Sequence, residues 1–295
     1  TGAAVKPSRN GDAAMKVLLV GSRGMLGTDV MEAFGPVHET TGLDLPDLDI
    51  TRPGQCRQAL GILHPDAVIN CAAFTQVDAC ESRERDAFLV NGTGAGNLAE
   101  AAAAAGALLV HFSTDYVFDG RKRDPYVEED APNPESVYGK SKLLGENLVR
   151  ERAPQHLILR TSWLFGRNGK NFIRTIVEAA RRGDPLRVVD DQKGSPTYSG
   201  DLAAQTLRMI DSGCRGTYHV TNGGSCTWHA LACNALIPAG LAHVPVEPVP
   251  SSVYPRPAPR PANSVLANAR LLRGGIPPLR PWQDAVREYV ERHLR

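Results

Sequence analysis

Tyr138 and Lys142 lie four residues apart in a segment whose composition favours a helix. Positions i and i+4 of a helix share one face, so we expect the phenol and the ammonium to lie side by side. A free phenol titrates near ~10, and a neighbouring cation favours the phenolate and lowers the pKa. The spacing therefore predicts a general acid that protonates a carbonyl oxygen as a hydride arrives.

A threonine hydroxyl is predicted to reach the same centre from a neighbouring strand. Thr114 and Asp115 follow the apolar run 108–112, which is typical of a buried strand. In open parallel sheets, ligands bind beyond the carboxyl ends of the strands. We therefore expect Thr114 to hydrogen-bond both the substrate oxygen and the hydroxyl of Tyr138.

Residues 21–27 form a glycine-rich turn, GSRGMLG, between a predicted strand at 16–20 and a predicted helix at 25–34. Gly21 allows the chain to turn, Gly24 allows the backbone to approach a pyrophosphate, and Gly27 allows the helix to pack against the strand. The helix N-terminus offers N–H donors and the positive end of its dipole to phosphates. In this context the glycines predict a dinucleotide-binding site.

Two residues near this turn favour different cofactors. Asp44 directly follows the second predicted strand, 37–43. Its distance along the chain from the glycine-rich turn is typical of an acid that binds the adenosine ribose hydroxyls. Arg23 lies inside the glycine-rich turn and would instead attract a 2′-phosphate. The sequence therefore leaves NADH and NADPH both open.

The elements that must position these groups alternate along the chain. Nearly continuous apolar strands separated by helices predict a Rossmann-type, doubly wound parallel α/β sheet that is covered on both faces. The remaining predicted strands of this part are 67–71, 108–112 and 157–161, and the predicted helices are 51–63, 81–105 and 134–152.

The regular alternation of predicted strands and helices becomes looser after residue 165. Helices at 172–182, 201–210 and 281–294, strands at 186–189 and 217–220, and an extended proline-rich loop at 245–261 are predicted there. We interpret 1–14 as a disordered tail and 15–165 as the dinucleotide-binding domain, to which 194–224 returns. Residues 166–193 and 225–295 are predicted to form a smaller substrate-binding lobe.

The composition excludes several classes of protein. The 295 residues contain 33 Lys and Arg against 32 Asp and Glu, without the basic excess of nucleic-acid-binding proteins. No apolar stretch approaches the roughly 20 residues needed to cross a membrane. The six cysteines lack metal-binding spacing, and we interpret them as buried thiols. A cytoplasmic protein is expected.

Taken together, the motifs resemble the extended short-chain dehydrogenase/reductase family, and within it the enzymes that reduce dTDP-4-keto sugars. The resemblance runs from Met15 nearly to the C-terminus. It is carried by GSRGMLG (21–27), LDIT (48–51), NCAAFTQVDACE (70–81), HFSTDYVFDG (111–120), VYGKSKLLGE (137–146), LRTSWLFG (159–166), DQKGSPT (191–197), TWHA (227–230) and RPANSVL (260–266).

The resemblance implies a role for each matching residue. Tyr138 would donate the proton, Lys142 would assist it and hold the nicotinamide ribose, and Thr114 would tune the phenol. The implied cofactor-binding residues are Gly21, Arg23, Gly24, Met25, Leu26, Gly27, Asp44, Asp49, Ile50, Ala72, Ala73, Thr75 and Asn91, with Tyr138 and Lys142. The implied substrate-binding residues are Thr114, Asp115, Trp163, Asn171 and Arg260, whereas Trp228 and Trp282 are interpreted as packing anchors.

The reaction implied by the resemblance is the NADPH- or NADH-dependent reduction of the 4-keto group of dTDP-4-dehydro-L-rhamnose to dTDP-L-rhamnose. Tyr116 stands where the family's dehydratases have a glutamate, which favours simple carbonyl reduction. No metal dependence is expected, and a homodimer is left open. Two alternatives remain: a reductase of another dTDP-4-keto deoxysugar, and a non-catalytic NADP-binding subunit resembling the β subunit of methionine adenosyltransferase.

Overall fold

The structure is a computed structural model that describes residues 14–295. The tail predicted at 1–14 therefore lies, apart from Ala14, outside the described residues. The strands are β1 Lys16–Val20, β2 Glu39–Leu43, β3 Ala67–Asn70, β4 Leu108–Thr114, β5 His156–Thr161, β6 Leu164–Phe165, β7 Leu186–Val189, β8 Lys193–Gly194, β9 Thr197–Tyr198, β10 Gly216–His219, β11 Cys226–Thr227 and β12 Val246–Val249.

Six of these strands form one parallel sheet in the order β10-β5-β4-β3-β1-β2. The inner strands β1, β3, β4 and β5 are buried on both faces, which is why their sequences are mainly apolar, whereas the edge strands β2 and β10 are less buried and more polar. Val17 and Leu19 face one hydrophobic core, whereas Leu18 and Val20 face the other. The predicted Rossmann-type fold class is confirmed.

Helices cover both faces of this sheet and build the smaller lobe. They are α1 Met25–Phe34, α2 Pro53–Leu63, α3 Val77–Ser82, α4 Glu84–Ala87, α5 Ala95–Ala105, α6 Val137–Arg152, α7 Phe172–Arg182, α8 Ser199–Asp211, α9 Trp228–Leu236, α10 Ala269–Arg273 and α11 Trp282–His293. Short 3₁₀ turns occupy Asp115–Val117 and Ser251–Val253.

The continuous helix predicted at 81–105 is wrong. The chain forms α3 and α4, then a π-helical segment at Phe88–Gly94, and only then α5. A Cβ atom on Gly145 of α6 would lie 2.2 Å from the carbonyl oxygen of Asn91 in the π-helical segment. The widened turn thus packs backbone to backbone against α6, a contact between distant segments that helical periodicity does not reveal.

The smaller lobe has its own core, to which Phe165, Val177, Leu231 and Tyr289 contribute. The proline-rich segment, predicted to be an extended loop throughout, contains β12, which pairs in parallel with β7. Pro248 is tolerated there because β12 pairs on one side only, as expected for proline in an edge strand. Between the parts of this lobe, the chain returns to the large sheet as β10, which pairs with β5.

Within residues 14–295, none of the helices combines the length and the apolar character that a membrane-spanning segment requires.

Candidate active site

A long cleft runs across the carboxyl ends of β1, β3 and β4. It consists of a cavity of about 240 Å³ beside Asp44 and one of about 470 Å³ beside Tyr138. The two cavities share Gly24 and Cys71–Ala73. Among the residues predicted to bind the cofactor, the larger cavity also brings together Met25, Leu26, Gly27, Thr75, Tyr138 and Lys142, and the smaller one Gly21, Asp44, Asp49 and Ile50.

The glycine-rich turn leaves backbone space for a dinucleotide. Gly21 has φ +78°, and a Cβ there would lie 2.6 Å from the backbone nitrogen of Ala72. The first turn of α1 contains no acidic residue, and its N-cap, Gly24, makes no side-chain capping bond. No carboxylate within the first turn of α1 therefore competes with a pyrophosphate for the first N–H groups of this helix.

In the smaller cavity, Asp44 is held by backbone groups. Its carboxylate accepts hydrogen bonds from the N–H of Arg23 at 3.0 Å and of Leu45 at 2.8 Å. The guanidinium of Arg23 is exposed and pairs with Asp47 at 3.4 Å. The Asp44 carboxylate thus lines the smaller cavity, whereas Arg23 lines neither cavity of the cleft.

Asp49 lines the smaller cavity, but its carboxylate also serves the local fold. It accepts bonds from the hydroxyl of Thr51 at 2.7 Å and from its N–H at 2.9 Å, and the hydroxyl bond is the main reason that the pKa of Asp49 is lowered. Thr51, predicted to cap α2, donates to Asp49 instead. Ile50 contributes its side chain to the cavity wall.

Asn91 lies behind the cleft rather than in its wall. Its side chain is buried, accepts from the N–H of Phe74 at 2.8 Å, and donates to the carbonyl of Phe74 and the hydroxyl of Ser141, both at 3.0 Å. It thereby ties the loop that carries Ala73 and Thr75 to the helix that carries Tyr138. Asn91 lines neither cavity of the cleft, and its predicted contact with the cofactor stays a prediction.

Thr114, Tyr138 and Lys142 meet in the larger cavity. Thr114 is the last residue of β4, and α6 carries the other two from its first two turns. Ser136 caps α6 by accepting the N–H of Gly139 at 3.1 Å, and a Cβ on Gly139 would lie 2.1 Å from the carbonyl oxygen of Tyr116. This close approach places the phenol of Tyr138 beside Thr114 in the wall of the same cavity.

The electrostatics of the Tyr–Lys pair differ from the prediction. The ammonium of Lys142 donates to the carbonyl of Phe112 at 2.6 Å, and burial lowers its pKa to about 8. Burial also raises the pKa of Tyr138 well above its ordinary value, and Asp115 and Tyr116 add to that rise. The prediction that Lys142 acidifies this phenol is therefore wrong for this geometry. The phenol is held protonated, which is the form that a general acid needs.

Asp115 lies at the inner end of the cleft, next to this group. It is 2% exposed, and one carboxylate oxygen accepts the hydroxyl of Thr114 at 3.0 Å. Burial raises the pKa of Asp115 to about 6, and hydrogen bonds with Ser264 and Thr114 offset part of the rise. Ionisation of this buried carboxyl group therefore lowers the free energy of unfolding, by an amount that depends on pH.

We expect Asp115→Asn to be more stable than the wild type at neutral pH. Because the folded-state pKa is raised, the wild type loses stability as pH rises from the unfolded value near 3.8 to about 6. The advantage of the variant in free energy of unfolding should grow from near zero below pH ~4 to about 2–3 kcal/mol above pH ~6. Urea unfolding across this range measures it.

Asp124→Asn, which neutralises an exposed carboxylate, is the matched control and should show no such pH-dependent gain. Parallel pH profiles for wild type and Asp115→Asn would refute the burial cost assigned to Asp115.

A further cavity, also of about 470 Å³, opens beside the larger cavity of the cleft. We call the larger cavity of the cleft the first cavity and this further one the second cavity. The two share Tyr116, Trp163 and Trp228, so they form one continuous site. Arg187, Arg256 and Arg260 also line the second cavity. Guanidinium groups beside aromatic rings suit a nucleoside diphosphate, because guanidinium binds phosphate oxygens in a fork.

The residues predicted to bind the substrate are divided by the structure. Thr114 and Asp115 line the first cavity, Arg260 lines the second, and Trp163 lines both. Asn171 lines neither: it caps α7 by accepting the N–H of Arg174, and its amide donates to Gly166 at 2.9 Å and Tyr289 at 2.8 Å. The prediction that Asn171 grips the nucleotide does not match this arrangement, because both ends of its side chain are engaged within the lobe.

Sequence reasoning missed several residues of the second cavity. Asp78 pairs with Arg260 at 2.9 Å, and Arg256 lies four residues before Arg260 in the proline-rich segment. The alternation of arginine with proline in this segment could have indicated these residues, because prolines keep the chain extended and so present the charged side chains. Trp228, interpreted as a packing anchor, lines both cavities.

Comparisons with known proteins agree with this architecture. The family model described as the RmlD substrate binding domain matches residues 15–295. The dTDP-4-dehydrorhamnose reductase of Burkholderia thailandensis is 39% identical over 290 residues, which cover 92% of this chain and 97% of the relative. A probable dTDP-4,6-dihydroxy-2-methyloxan-3-one 4-ketoreductase of Streptomyces antibioticus is 41% identical over 277 residues, with 93% and 94% covered.

A solved structure extends the similarity to the fold. The crystal structure of dTDP-4-dehydrorhamnose reductase from Bacillus anthracis in complex with NADP is 36% identical. It matches with a TM-score of 0.91 and covers 94% of this chain and 99% of that chain. On the extent of these matches, the chain belongs to the RmlD substrate-binding-domain family.

Proposed function

We propose that the protein reduces the 4-keto group of dTDP-4-dehydro-L-rhamnose to dTDP-L-rhamnose with NADPH or NADH. The observation that carries the proposal is the position of Thr114, Tyr138 and Lys142, which lie where a dinucleotide cleft meets a cavity lined by arginines. Membership of the family and the reductases among its relatives support the same reaction.

The bound nicotinamide cofactor supplies the hydride that reduces the ketone. The glycine-rich turn and the N-terminus of α1 bind its pyrophosphate, and Asp44 and Ile50 line its adenosine end. Lys142 supplies a cation to the nicotinamide end of the cleft. Tyr138 transfers its phenol proton to the carbonyl oxygen, and Thr114 keeps the phenol in place.

The remainder of the substrate is used for alignment. Arg187, Arg256 and Arg260 bind the diphosphate, and the aromatic walls hold the nucleoside and the sugar. Binding energy from these distant groups places the ketone in reach of the proton donor, which raises turnover. Tyr116 follows Asp115 in place of a second carboxylate, so the site favours reduction over elimination of water.

A second candidate is reduction of a different dTDP-4-keto deoxysugar, which the similarity to the Streptomyces antibioticus protein favours. A panel of dTDP-4-keto sugars, assayed for oxidation of NADH and of NADPH, separates the candidates. The proposal requires the highest kcat/KM with dTDP-4-dehydro-L-rhamnose. If the protein binds NADP tightly but no sugar of the panel causes NADH or NADPH to be oxidised, the result would instead favour a regulatory subunit.

The pH profile of the reaction tests the role of Lys142. Because burial lowers its pKa to about 8, the ammonium is present below that pH and lost above it. We expect kcat/KM to fall along a single alkaline limb that begins near pH ~8, while the protonated phenol of Tyr138 contributes no limb there. In Lys142→Arg, whose cation persists, the limb should move to higher pH. A flat wild-type profile up to pH ~10 would refute the assignment.

Four further predictions concern the whole molecule. The domain boundaries, the homodimer and the cytoplasmic location stay predictions, as does the independence from metal ions. Sedimentation equilibrium of the holoenzyme, with and without a chelator, tests the oligomer and its metal dependence together.

A further inference from the structure

Trp163 has an unusual backbone conformation at the junction of the two cavities. Its φ is +47°, and among residues 14–295 only His64 shares a positive φ without being glycine. His64 ends helix α2, where a left-handed residue is common. Trp163 lies between β5 and β6, where no helix end accounts for it. Strain of this kind persists only where the surroundings over-determine the conformation.

Two neighbours hold the Trp163 indole. The ring of Trp228 stacks on it with a centroid distance of 3.5 Å and an interplanar angle of 8°. The backbone of Gly194 lies against the Cε2 and Nε1 atoms, because a Cβ on Gly194 would lie only 2.3 Å from that ring. Phe172 supports Trp228 in turn, with centroids 4.7 Å apart.

The pairing of β8 with β11 brings these neighbours together. Gly194 lies opposite Cys226 in this antiparallel pair, and Trp228 follows two residues later as the first residue of α9. Thr227 caps α9 and donates its hydroxyl to Asp190 at 2.5 Å. The position of the Trp228 ring is therefore fixed by a strand pair and a helix cap.

We propose that Trp228 and Gly194 are positioning residues that hold Trp163 in the one orientation that aligns the sugar ketone with Tyr138. This inference rests on the proposed function and adds two residues to it. The stabilisation from an aromatic stack is similar in size to the strain of a left-handed residue. Removing the stack therefore allows Trp163 to relax away from its position.

Loss of the stack should lower turnover more than it weakens substrate binding. The arginines of the second cavity still bind the diphosphate, so the substrate still enters. A displaced indole leaves the ketone misaligned, and small displacements of a reacting group reduce the rate strongly. In Trp228→Leu we expect kcat to fall about 10–100-fold while KM changes less than about threefold.

The test combines kinetics with circular dichroism of the holoenzyme. Two stacked indoles give an exciton couplet in the far ultraviolet, and Trp228→Leu should abolish it together with most of kcat. Trp228→Phe keeps a flat ring on Trp163, so it should lose the couplet and recover most of kcat. Gly194→Ala, whose methyl group displaces the indole, should lower kcat with Trp228 still present.

Trp282→Phe is the matched control, since it removes a buried indole that lines neither cavity and should preserve both kcat and the couplet. Wild-type kcat in Trp228→Leu, or a couplet that survives there, would overturn the positioning role alone. A wild type that reduces no dTDP-4-keto sugar would overturn the proposed function, and this inference with it.

Discussion

Tyr138→Phe is expected to lose turnover by about 10²–10⁴-fold, because the variant removes the proton donor and leaves the ring in place. Burial holds the phenol protonated, and the phenol lies beside Thr114 in the cleft. Cofactor affinity should be unchanged, since the glycine-rich turn is untouched. Steady-state oxidation of NADPH gives kcat, and a fluorescence titration gives the cofactor Kd.

Tyr126→Phe is the matched control for this experiment. Its hydroxyl is hydrogen-bonded to Asp119 at 2.8 Å and stands outside both cavities, so kcat should change little. If Tyr138→Phe retains wild-type turnover, Tyr138 is not the proton donor.

Glu146→Gln is expected to lower the free energy of unfolding by about 3–5 kcal/mol at neutral pH, the effect of leaving a buried charge unpaired. Glu146 lies one turn after Lys142 on α6 and is fully buried. It accepts two bonds from Arg160 of β5, at 2.8 and 2.7 Å, and one from Arg150 at 2.5 Å. The glutamine leaves the buried Arg160 guanidinium without its counter-charge.

The pH dependence of this effect has a definite sign. Burial alone raises the pKa of Glu146, but the hydrogen bonds and the charge of Arg160 outweigh it and hold the pKa at about 2. The stabilisation is therefore present above the ordinary value of 4.5 and is lost as pH falls towards about 2. Urea unfolding at pH 7 and at acidic pH should show the difference between Glu146→Gln and wild type shrink in acid.

Two further variants make the Glu146 experiment decisive. Glu151→Gln, at an exposed position of the same helix, should leave stability nearly unchanged. Glu146→Gln combined with Arg160→Met removes both charges and should recover much of the loss. A loss below ~1 kcal/mol in Glu146→Gln would mean that the pair contributes no more than a surface ion pair.

Local patterns predicted the large sheet well and the contacts between distant segments poorly. The apolar runs at 17–20 and 67–69 are visible because parallel strands are buried on both faces. The π-helical segment depends on the packing of Gly145 against Asn91, and β12 depends on pairing with β7 some 60 residues earlier. Neither contact leaves a periodicity in the sequence.

In the candidate site, too, local patterns predicted some features, whereas those that depend on the folded surroundings were missed. The spacing of Tyr138 and Lys142 and the order of the motifs predicted which side chains meet in the cleft. The spacing did not reveal that the ammonium binds the carbonyl of Phe112, because burial depends on the folded surroundings. Asn171 and Asn91 have the right residue type for ligand binding, but only the packing shows that their amides are engaged inside the protein.

The passage of the chain through β10 restricts how this architecture can change during evolution. The chain leaves the sheet after β5, builds α7 and β7, returns as α8 and β10, and then forms α9, β12 and α11. A single genetic crossover cannot exchange the smaller lobe as one cassette, and a gene truncated after β5 would encode a sheet that lacks its outer strand. New sugar preferences in such a protein are therefore reached most directly by substitutions in place, with the hydride-transfer centre inherited intact.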